Sequence, residues 1–406
     1  MARTLLRRIF APNLALYDVR EFFRLPQFPG TKITPRRLLN LYIVRFQRMR
    51  AHTKLLGYPL ILTIEAANVC NLRCPYCFTG AGDVSRERAH FPLPLYERIM
   101  DELAGYLFEV ELHNWGEPLL NKNIPALIRI ATDRGVGTTI STNFSFPFSA
   151  DRAEALVASG LSQLGVSLDG ARQETYEQYR VRGNFQQALD NVRLMVEAKK
   201  KLRSATPRLI WEFHVFEHNK HETELAKSMA TDLGMDIDIS KGWVSGAEWD
   251  PDGPYKFFQA PSVDGCEFLW QRAIINIDAG VAPCCGTFFR EDDFGTVEQQ
   301  SFKAVWNNQN FQAARRLFTS RQGNPRGKDL ICYECPETLT REDYLNHIAA
   351  GGERFAFRGR FTSNDGFDYF FRRKPAKPAE GKPDRPEAQP MVLELDEPSE
   401  GQERGG

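Results

Sequence analysis

Long apolar runs are missing from this 406-residue chain. None approaches the roughly 18 consecutive apolar residues that cross a bilayer as a helix. No long apolar segment follows Arg3, Arg7 and Arg8, as a secretory signal requires, so the expected location is cytoplasmic. Net charge is missing too. Its 52 Lys and Arg balance 52 Asp and Glu, which argues against a nucleic-acid binder acting over its whole surface. Histidine is scarce, with 7 residues and none near the cysteine run at 70–77, so a mixed Cys/His zinc site there lacks its second ligand type. What is present is 42% hydrophobic residues, enough to build cores for two domains with terminal extensions.

The even charge balance hides uneven ends. Residues 1–58 carry twelve Lys and Arg against only Asp18 and Glu21. Apolar residues are interleaved, and Leu5–Phe10 and Leu38–Met49 suit short helices with a basic face. Peripheral contact of residues 1–50 with an anionic membrane is one reading of that pattern. The favoured one is a helical extension packed on the main domain with its arginines in solvent. Residues 346–406 form a C-terminal extension. From about residue 373 it is rich in proline and charge and poor in aromatics, so disorder is expected there.

Eight cysteines in a chain with no export signal point to metal ligands rather than disulfides. Three of them, Cys70, Cys74 and Cys77, fall in the run Cys70-Asn71-Leu72-Arg73-Cys74-Pro75-Tyr76-Cys77. Random placement would give such a triplet about 0.003 times per chain. A four-iron cluster normally takes four thiolates, so three hold it and leave one iron open to another ligand. Zinc is the alternative, although it usually takes four protein ligands.

Between residues 59 and 241, short apolar runs alternate with amphipathic ones, the pattern of parallel strands joined by crossover helices. Expected strands are Leu60–Glu65, Glu109–Asn114, Gly137–Ser141, Gln163–Leu168, Arg208–Val215 and Asp236–Ile239. Expected helices are Leu93–Tyr106, Ile124–Arg134, Ala150–Ser159, Phe185–Lys201 and Glu222–Leu233. Residues 242–265 lack periodicity and read as a linker. Beyond it Arg272–Asp278 and Gly280–Cys284 read as a small hairpin, and Phe302–Thr319 as one helix.

The cysteine loop, with Tyr76 as its aromatic, resembles that of the radical S-adenosylmethionine (SAM) enzymes. The resemblance covers roughly residues 59–340. It implies an α/β fold, a partial (β/α)6 barrel, with the cysteine loop after the first strand at the face where β/α-barrel sites are built. It also implies a [4Fe-4S] cluster whose open iron binds SAM, reductive cleavage of SAM to a 5′-deoxyadenosyl radical, and an external electron donor such as flavodoxin or ferredoxin.

Trp115-Gly116-Glu117-Pro118 stands where the family carries a Gly-Gly-Glu-Pro-like motif, with tryptophan in place of the first glycine. The resemblance implies small backbone at Gly116 and places the Glu117 carboxylate near the methionyl ammonium, a charge-assisted contact. It assigns Ser141, Asn143, Ser167 and Asp169 to ribose and methionine, and Arg180 to the SAM carboxylate. Strand-end turns and a surface ion pair are the ordinary readings of these same residues.

The remaining cysteines are Cys266, Cys284, Cys285, Cys332 and Cys335. Cys266, Cys284, Cys332 and Cys335 suffice to close a second cluster or a structural zinc site, with Cys285 as the alternate to Cys284. Asn276–Cys284 resembles the auxiliary-cluster extensions called SPASM and twitch, which places a domain of that type at 266–345 with an auxiliary [4Fe-4S] cluster.

Hydrogen abstraction is the implied chemistry. The candidate substrates are a carbohydrate-like small molecule, which the enzyme oxidises with help from the auxiliary cluster, or a peptide. A non-catalytic electron carrier or zinc scaffold is the reading from a different class. Glu212 and His214, on one face of the fifth strand by period-two alternation, are candidates for a base or hydrogen donor.

Overall fold

The structure is a computed structural model that describes residues 22–23, 25–83, 85–242, 266–318 and 325–333. The expected helix Leu5–Phe10, nearly all of the 242–265 linker, Cys335 and the C-terminal extension fall outside those residues.

The first helix, α1 (Pro35–Met49), begins where Thr34 accepts the Arg37 N–H and Pro35 presets the first turn. Its Leu41 and Val44 pack with Leu60, Ile61 and Phe108, below the first two strands. The expectation that its arginines lie in solvent fails at Arg37. Arg37 is buried and donates from Nη2 to Ala104 O and Arg134 O, both at 2.9 Å. A guanidinium carries five donors, so one side chain closes several loop carbonyls that an apolar residue would leave open.

Six strand units follow. They are β1 (Ile61–Ile64), β2 (Glu109–Glu111), β3 (Gly137–Thr142), β4 (Gln163–Ser167), β5 (Arg208–Val215) and β6 (Asp236–Lys241). All are parallel, with register pairs Thr63↔Glu111, Glu111↔Thr139, Ser141↔Gly165, Ser167↔Glu212 and Glu212↔Asp238. The connecting helices are a single turn α2 (Phe78–Ala81), α3 (Leu93–Leu103), α4 (Ile124–Asp133), α5 (Ala150–Ala158), α6 (Gln173–Tyr179), α7 (Phe185–Lys201) and α8 (Thr223–Asp232). In α7, Asn184 caps the Gln187 N–H, and Phe185, Ala188, Leu189, Val192 and Met195 form the buried stripe. Lys199, Lys200 and Lys201 end it where cations suit the helix dipole.

The sheet is an open, partial (β/α)6 barrel with two contrasting faces. Along β5, Leu209, Trp211 and Phe213 are buried in the main core, while Ile210, Glu212 and His214 on the opposite face stay partly exposed. The outward face of β2 and β3 is likewise sealed by Val110, Leu112 and Ile140.

After a one-turn helix α9 (Glu267–Trp270) the chain adds β7 (Arg272–Ile275), β8 (Gly280–Ala282) and β9 (Gly295–Thr296). The hairpin expected at 272–284 forms, since β7 and β8 pair antiparallel. It is not free-standing: β7 pairs parallel with β1, Ile61↔Arg272 through Ile64↔Ile275, and extends the barrel sheet. Apolar Ile274 and Ile275 supply the buried character that a parallel neighbour needs. The expected helix Phe302–Thr319 is broken in two, α10 (Phe302–Trp306) and α11 (Gln309–Arg316), because Asn308 leaves the helical path to cap the Phe311 N–H. A short turn α12 (Pro325–Lys328) follows.

A buried ion cluster joins the hairpin to the barrel. Arg86, with a side chain 5% exposed, reaches Asp278 Oδ1 at 2.6 Å and both oxygens of Asp293 at 2.8 Å. Asn276 Nδ2 donates to Asp293 Oδ1 at 3.1 Å, and the Ile277 N–H donates to Glu65 Oε2 at 3.0 Å. Burial pushes Glu65 up to about 7 and Asp293 up to about 6, outweighing the pull of Arg86. A carboxyl whose pKa is raised by folding favours the native state when protonated. Its stabilisation is therefore full below the ordinary carboxylate range and is lost as pH rises to those values. Thermal unfolding temperature is expected to fall between about pH 5 and pH 7, and Glu65→Gln to flatten part of that fall. An unchanged slope in the variant would place the titration elsewhere.

Candidate active site

Cys70, Cys74 and Cys77 lie in the loop between β1 and α2, at the carboxyl end of the sheet. The loop is tied down at several points. Arg73 N–H donates to Val181 O at 3.0 Å and Glu117 N–H to Val69 O at 2.7 Å. Gly80 of α2 sits so close that a Cβ there would lie 2.5 Å from Cys74 O. All three cysteines are free thiols. Donors converge on them: Leu72 N–H at 3.5 Å and Asn143 Nδ2 at 3.8 Å from Cys70 Sγ, and Arg180 Nη1 at 3.9 Å from Cys74 Sγ. Burial nevertheless pushes the Cys70 thiol up to about 12, Cys74 to about 11, and Cys77 upward as well. Thiolates at these positions need a cationic partner, which iron supplies. Among the described residues no three His, Cys, Asp or Glu side chains cluster tightly enough for one metal ion. Ligands of a four-iron cluster each take a different iron, and three thiols with hydrogen-bond donors beside them suit that ligation.

The residues expected to face SAM come together around this loop. Gly116 is pressed against it: a Cβ would lie 2.0 Å from Ala67 O and 2.8 Å from Asn68 Cα, both backbone atoms. Gly116→Ala is expected to cost at least about 1–3 kcal/mol, the usual cost of overpacking. It should also lower the iron–sulfur absorbance obtained on reconstitution, and full absorbance would show that the loop yields.

Glu117 is buried. Its Oε1 accepts the Leu119 N–H at 3.0 Å and the Thr142 hydroxyl at 2.7 Å, and its Oε2 accepts the Asn143 N–H at 2.8 Å. A carboxylate has about four acceptor positions, so three are filled by this brace between the ends of β2 and β3. Burial raises it to about 7 despite these donors. Tyr76 is half-buried on the cysteine loop.

Asp169, after β4, organises the other side. It is fully buried, pairs with Arg180 Nε at 2.6 Å through Oδ2, and lies 2.8 Å from His214 Nδ1 through Oδ1. Oδ1 also accepts the His214 N–H at 2.9 Å. Burial works to raise its pKa, but Arg180 and His214 outweigh it and hold it down to about 2. Asp169 in turn raises His214 above the ordinary histidine value, against its own burial. His214 therefore suits holding a proton. On the same face of β5, Glu212 Oε2 accepts the hydroxyls of Ser141 and of Ser167, the latter at 3.0 Å.

Of the later cysteines, Cys266, Cys284 and Cys285 pack against the same apolar patch of Phe268, Ile274 and Ala282, and Cys332 packs against the main core. Among the described residues none of these four is joined in a disulfide. The segment after Cys285 touches the first loop directly. Phe288 stacks on Phe78, ring centroids 4.8 Å apart, and meets Trp115 edge-on. Trp115 Nε1 donates to Thr287 O at 3.1 Å. The tryptophan that replaces the motif's first glycine thus bridges the two cysteine regions, a contact with no signature in sequence spacing.

Residues 64–206 match the family described as the Radical SAM superfamily, and residues 266–336 match SPASM, described as an iron-sulfur cluster-binding domain. The chain belongs to the radical SAM superfamily. Its cofactors are SAM, a SAM-binding [4Fe-4S] cluster and auxiliary iron–sulfur chemistry. Among curated proteins, Fe-coproporphyrin III synthase of Methanosarcina barkeri is 36% identical over 121 residues, 30% of each chain. PqqA peptide cyclase of Rhodopseudomonas palustris is 31% identical over 116 residues, 28% of this chain and 30% of that one. This radical SAM chain thus spans about a third of the length of the relatives it matches. Among solved structures, SuiB of Streptococcus suis bound to S-adenosylmethionine has a TM-score of 0.48 at 16% identity, covering 78% of this chain and 79% of that one. No helix among the described residues is long and apolar enough to cross a membrane.

Proposed function

We propose that this radical SAM enzyme removes a hydrogen atom from a carbon of a small carbohydrate-like substrate held against the inner face of the barrel, and that the net reaction is an oxidation. The observation that carries the reading is the loop of three free thiols flanked by Asn143 and Arg180, with Asp169 linking Arg180 to His214 on the partly exposed face of β5. When bound, the first cluster and SAM supply the radical, and the auxiliary cluster supplies an electron acceptor.

The chain's own residues do the rest. Cys70, Cys74 and Cys77 hold the first cluster. Cys266, Cys284, Cys332 and Cys335 hold the second, with Cys285 as the alternate to Cys284. Gly116 admits SAM close to the backbone. Glu117 has one acceptor position left for its ammonium, and Arg180 is placed for its carboxylate. Tyr76, Ser141, Asn143, Ser167 and Asp169 orient the rest. Glu212 accepts the proton that leaves with oxidation, and His214, whose pKa Asp169 raises, orients the substrate by donation. The barrel domain is taken as 59–241 and the auxiliary domain as 266–345, with flavodoxin or ferredoxin as electron donor.

Peptide modification is the second reading, favoured by the name of the PqqA peptide cyclase relative. The test is anaerobic turnover with dithionite and SAM on panels of sugars, cyclitols and peptides. Release of 5′-deoxyadenosine coupled to a dehydrogenated small molecule supports the oxidation. A cross-linked or cleaved peptide replaces it with the second reading.

A further inference from the structure

Helix α1 packs on the barrel by one face only. Its Leu41 and Val44 cover Leu60, Ile61 and Phe108 at the amino ends of β1 and β2. The opposite face carries Arg36, Leu39, Ile43 and Phe46 and runs on to Arg50, residues three and four apart that line up along one side of a helix. Leu39 is 63% and Phe46 37% exposed, and Arg36 and Arg50 are exposed as well.

Apolar groups beside this line widen it. Phe23, 58% exposed, meets the Tyr42 ring with centroids 6.0 Å apart. Leu56, 78% exposed, follows the helix in a loop held by Gln47 Oε1, which accepts the Leu56 N–H at 3.1 Å and the Gly57 N–H at 3.0 Å. A Cβ at Gly57 would fall 3.3 Å from Ile43 Cγ2, so this loop lies against the same helix. A single exposed leucine needs no explanation, whereas large apolar side chains gathered on one face mark a docking surface.

The charge around the patch has one sign. No Asp or Glu occurs between residues 22 and 58, while Lys32, Arg36, Arg45, Arg48, Arg50 and Lys54 do. The carboxylates of the adjoining α3 are engaged elsewhere: Asp101 accepts from Arg134 Nη2 at 2.5 Å, and Glu102 accepts the Phe302 and Lys303 N–H groups at 2.9 and 3.0 Å. Arg36 lies over the Tyr106 ring, 4.2 Å from its centroid, which fixes its place without neutralising it.

A partner must match both the cations and the apolar side chains between them. Nucleic acid matches the cations and leaves Leu39 and Phe46 in water. A second copy sets like charges against each other. An anionic membrane satisfies both, with phosphates at the arginines and acyl chains around the apolar groups.

We propose that the outer face of α1 docks this enzyme on an anionic lipid surface, with Leu39, Phe46 and Leu56 entering the interface and Arg36 and Arg50 at the headgroups. The cysteine loop stands at the carboxyl end of the sheet and α1 at the amino end, so docking leaves the reaction site clear of the bilayer.

The test is co-sedimentation of the reconstituted full chain with vesicles of phosphatidylcholine alone and of phosphatidylcholine mixed equally with phosphatidylglycerol. Binding is expected to the anionic vesicles only. It should weaken about tenfold or more as salt rises from about 0.1 M to about 1 M, where the screening length shrinks from about 10 Å to about 3 Å. Leu39→Ser with Phe46→Ser should weaken it about tenfold or more, and so should Arg36→Gln with Arg50→Gln. Both double variants should keep SAM cleavage, read as 5′-deoxyadenosine release, which separates lost docking from lost folding. No binding to anionic vesicles, equal binding to neutral ones, or binding undiminished in either double variant would overturn the proposal. Dimers in sedimentation velocity that Leu39→Ser with Phe46→Ser abolishes would overturn it too, by giving the face to a second copy.

Discussion

Replacing Cys70, Cys74 and Cys77 together with alanine is expected to reduce 5′-deoxyadenosine release to the buffer background and to halve the iron bound after anaerobic reconstitution. With two four-iron clusters the unmutated chain holds about eight irons, and the triple variant about four. The effect is the largest available because these thiols are the only protein groups in the loop that bind iron strongly. Neither Asn143 nor Arg180 replaces them, since a guanidinium has donors only and the Asn143 amide oxygen is a neutral oxygen already accepting the Ser145 N–H at 2.8 Å, not a thiolate. Single variants test the same point more finely. Cys74→Ala removes the buried thiol beside Arg180, and should leave a guanidinium without its sulfur partner as well as an incomplete ligand set. Undiminished 5′-deoxyadenosine in the triple variant would sink the assignment of this loop. About four irons with one zinc in the unmutated chain would instead make the later cysteines a structural zinc site.

The barrel was legible in the sequence because its periodicity is strong. Arg208–Val215 and Phe185–Lys201 were expected with the bounds they have, and the other strands and helices shift by a few residues at their ends. The first cysteine loop was legible because thiolate chemistry demands a fixed spacing. What escaped was set by tertiary contact. Helix α6, with Tyr176 buried on it, is too short and polar to show a period. The pairing of β7 with β1 joins residues far apart in sequence, and no local pattern records it. The spacing offers Glu117 either a SAM contact or a strand-end turn, and does not show that it braces two strand ends, because burial and three donors depend on where β3 comes to lie. Arg37 was placed in solvent on composition, and only the loops beneath the barrel reveal the carbonyls that hold it.

Arg86→Met should produce the largest loss of stability outside the cysteine loops, and should produce it locally. Among the described residues Arg86 is the one cation shared by Asp278 and Asp293, Asp278 alone also meeting Arg290 Nε at 3.3 Å. Removing one member of a buried ion cluster leaves an uncompensated charge and costs about 3–5 kcal/mol, more than a surface pair, which is worth about 1 kcal/mol or less. Lysine is no substitute, because a single ammonium lacks the planar fork that reaches both oxygens of Asp293. The hairpin carries Cys284 and Cys285 and meets Phe78 and Trp115 through Phe288. Loosening it should therefore lower iron at the second site before the first. Hydrogen exchange is expected to quicken across residues 276–296 while β3 to β5 stay protected. The second variant Arg86→Met with Asp293→Asn should recover part of the loss, since it removes a charge that the single variant strands. An Arg86→Met protein with unchanged unfolding temperature and unchanged exchange in the hairpin would mean that sheet pairing with β1 alone holds the auxiliary region in place.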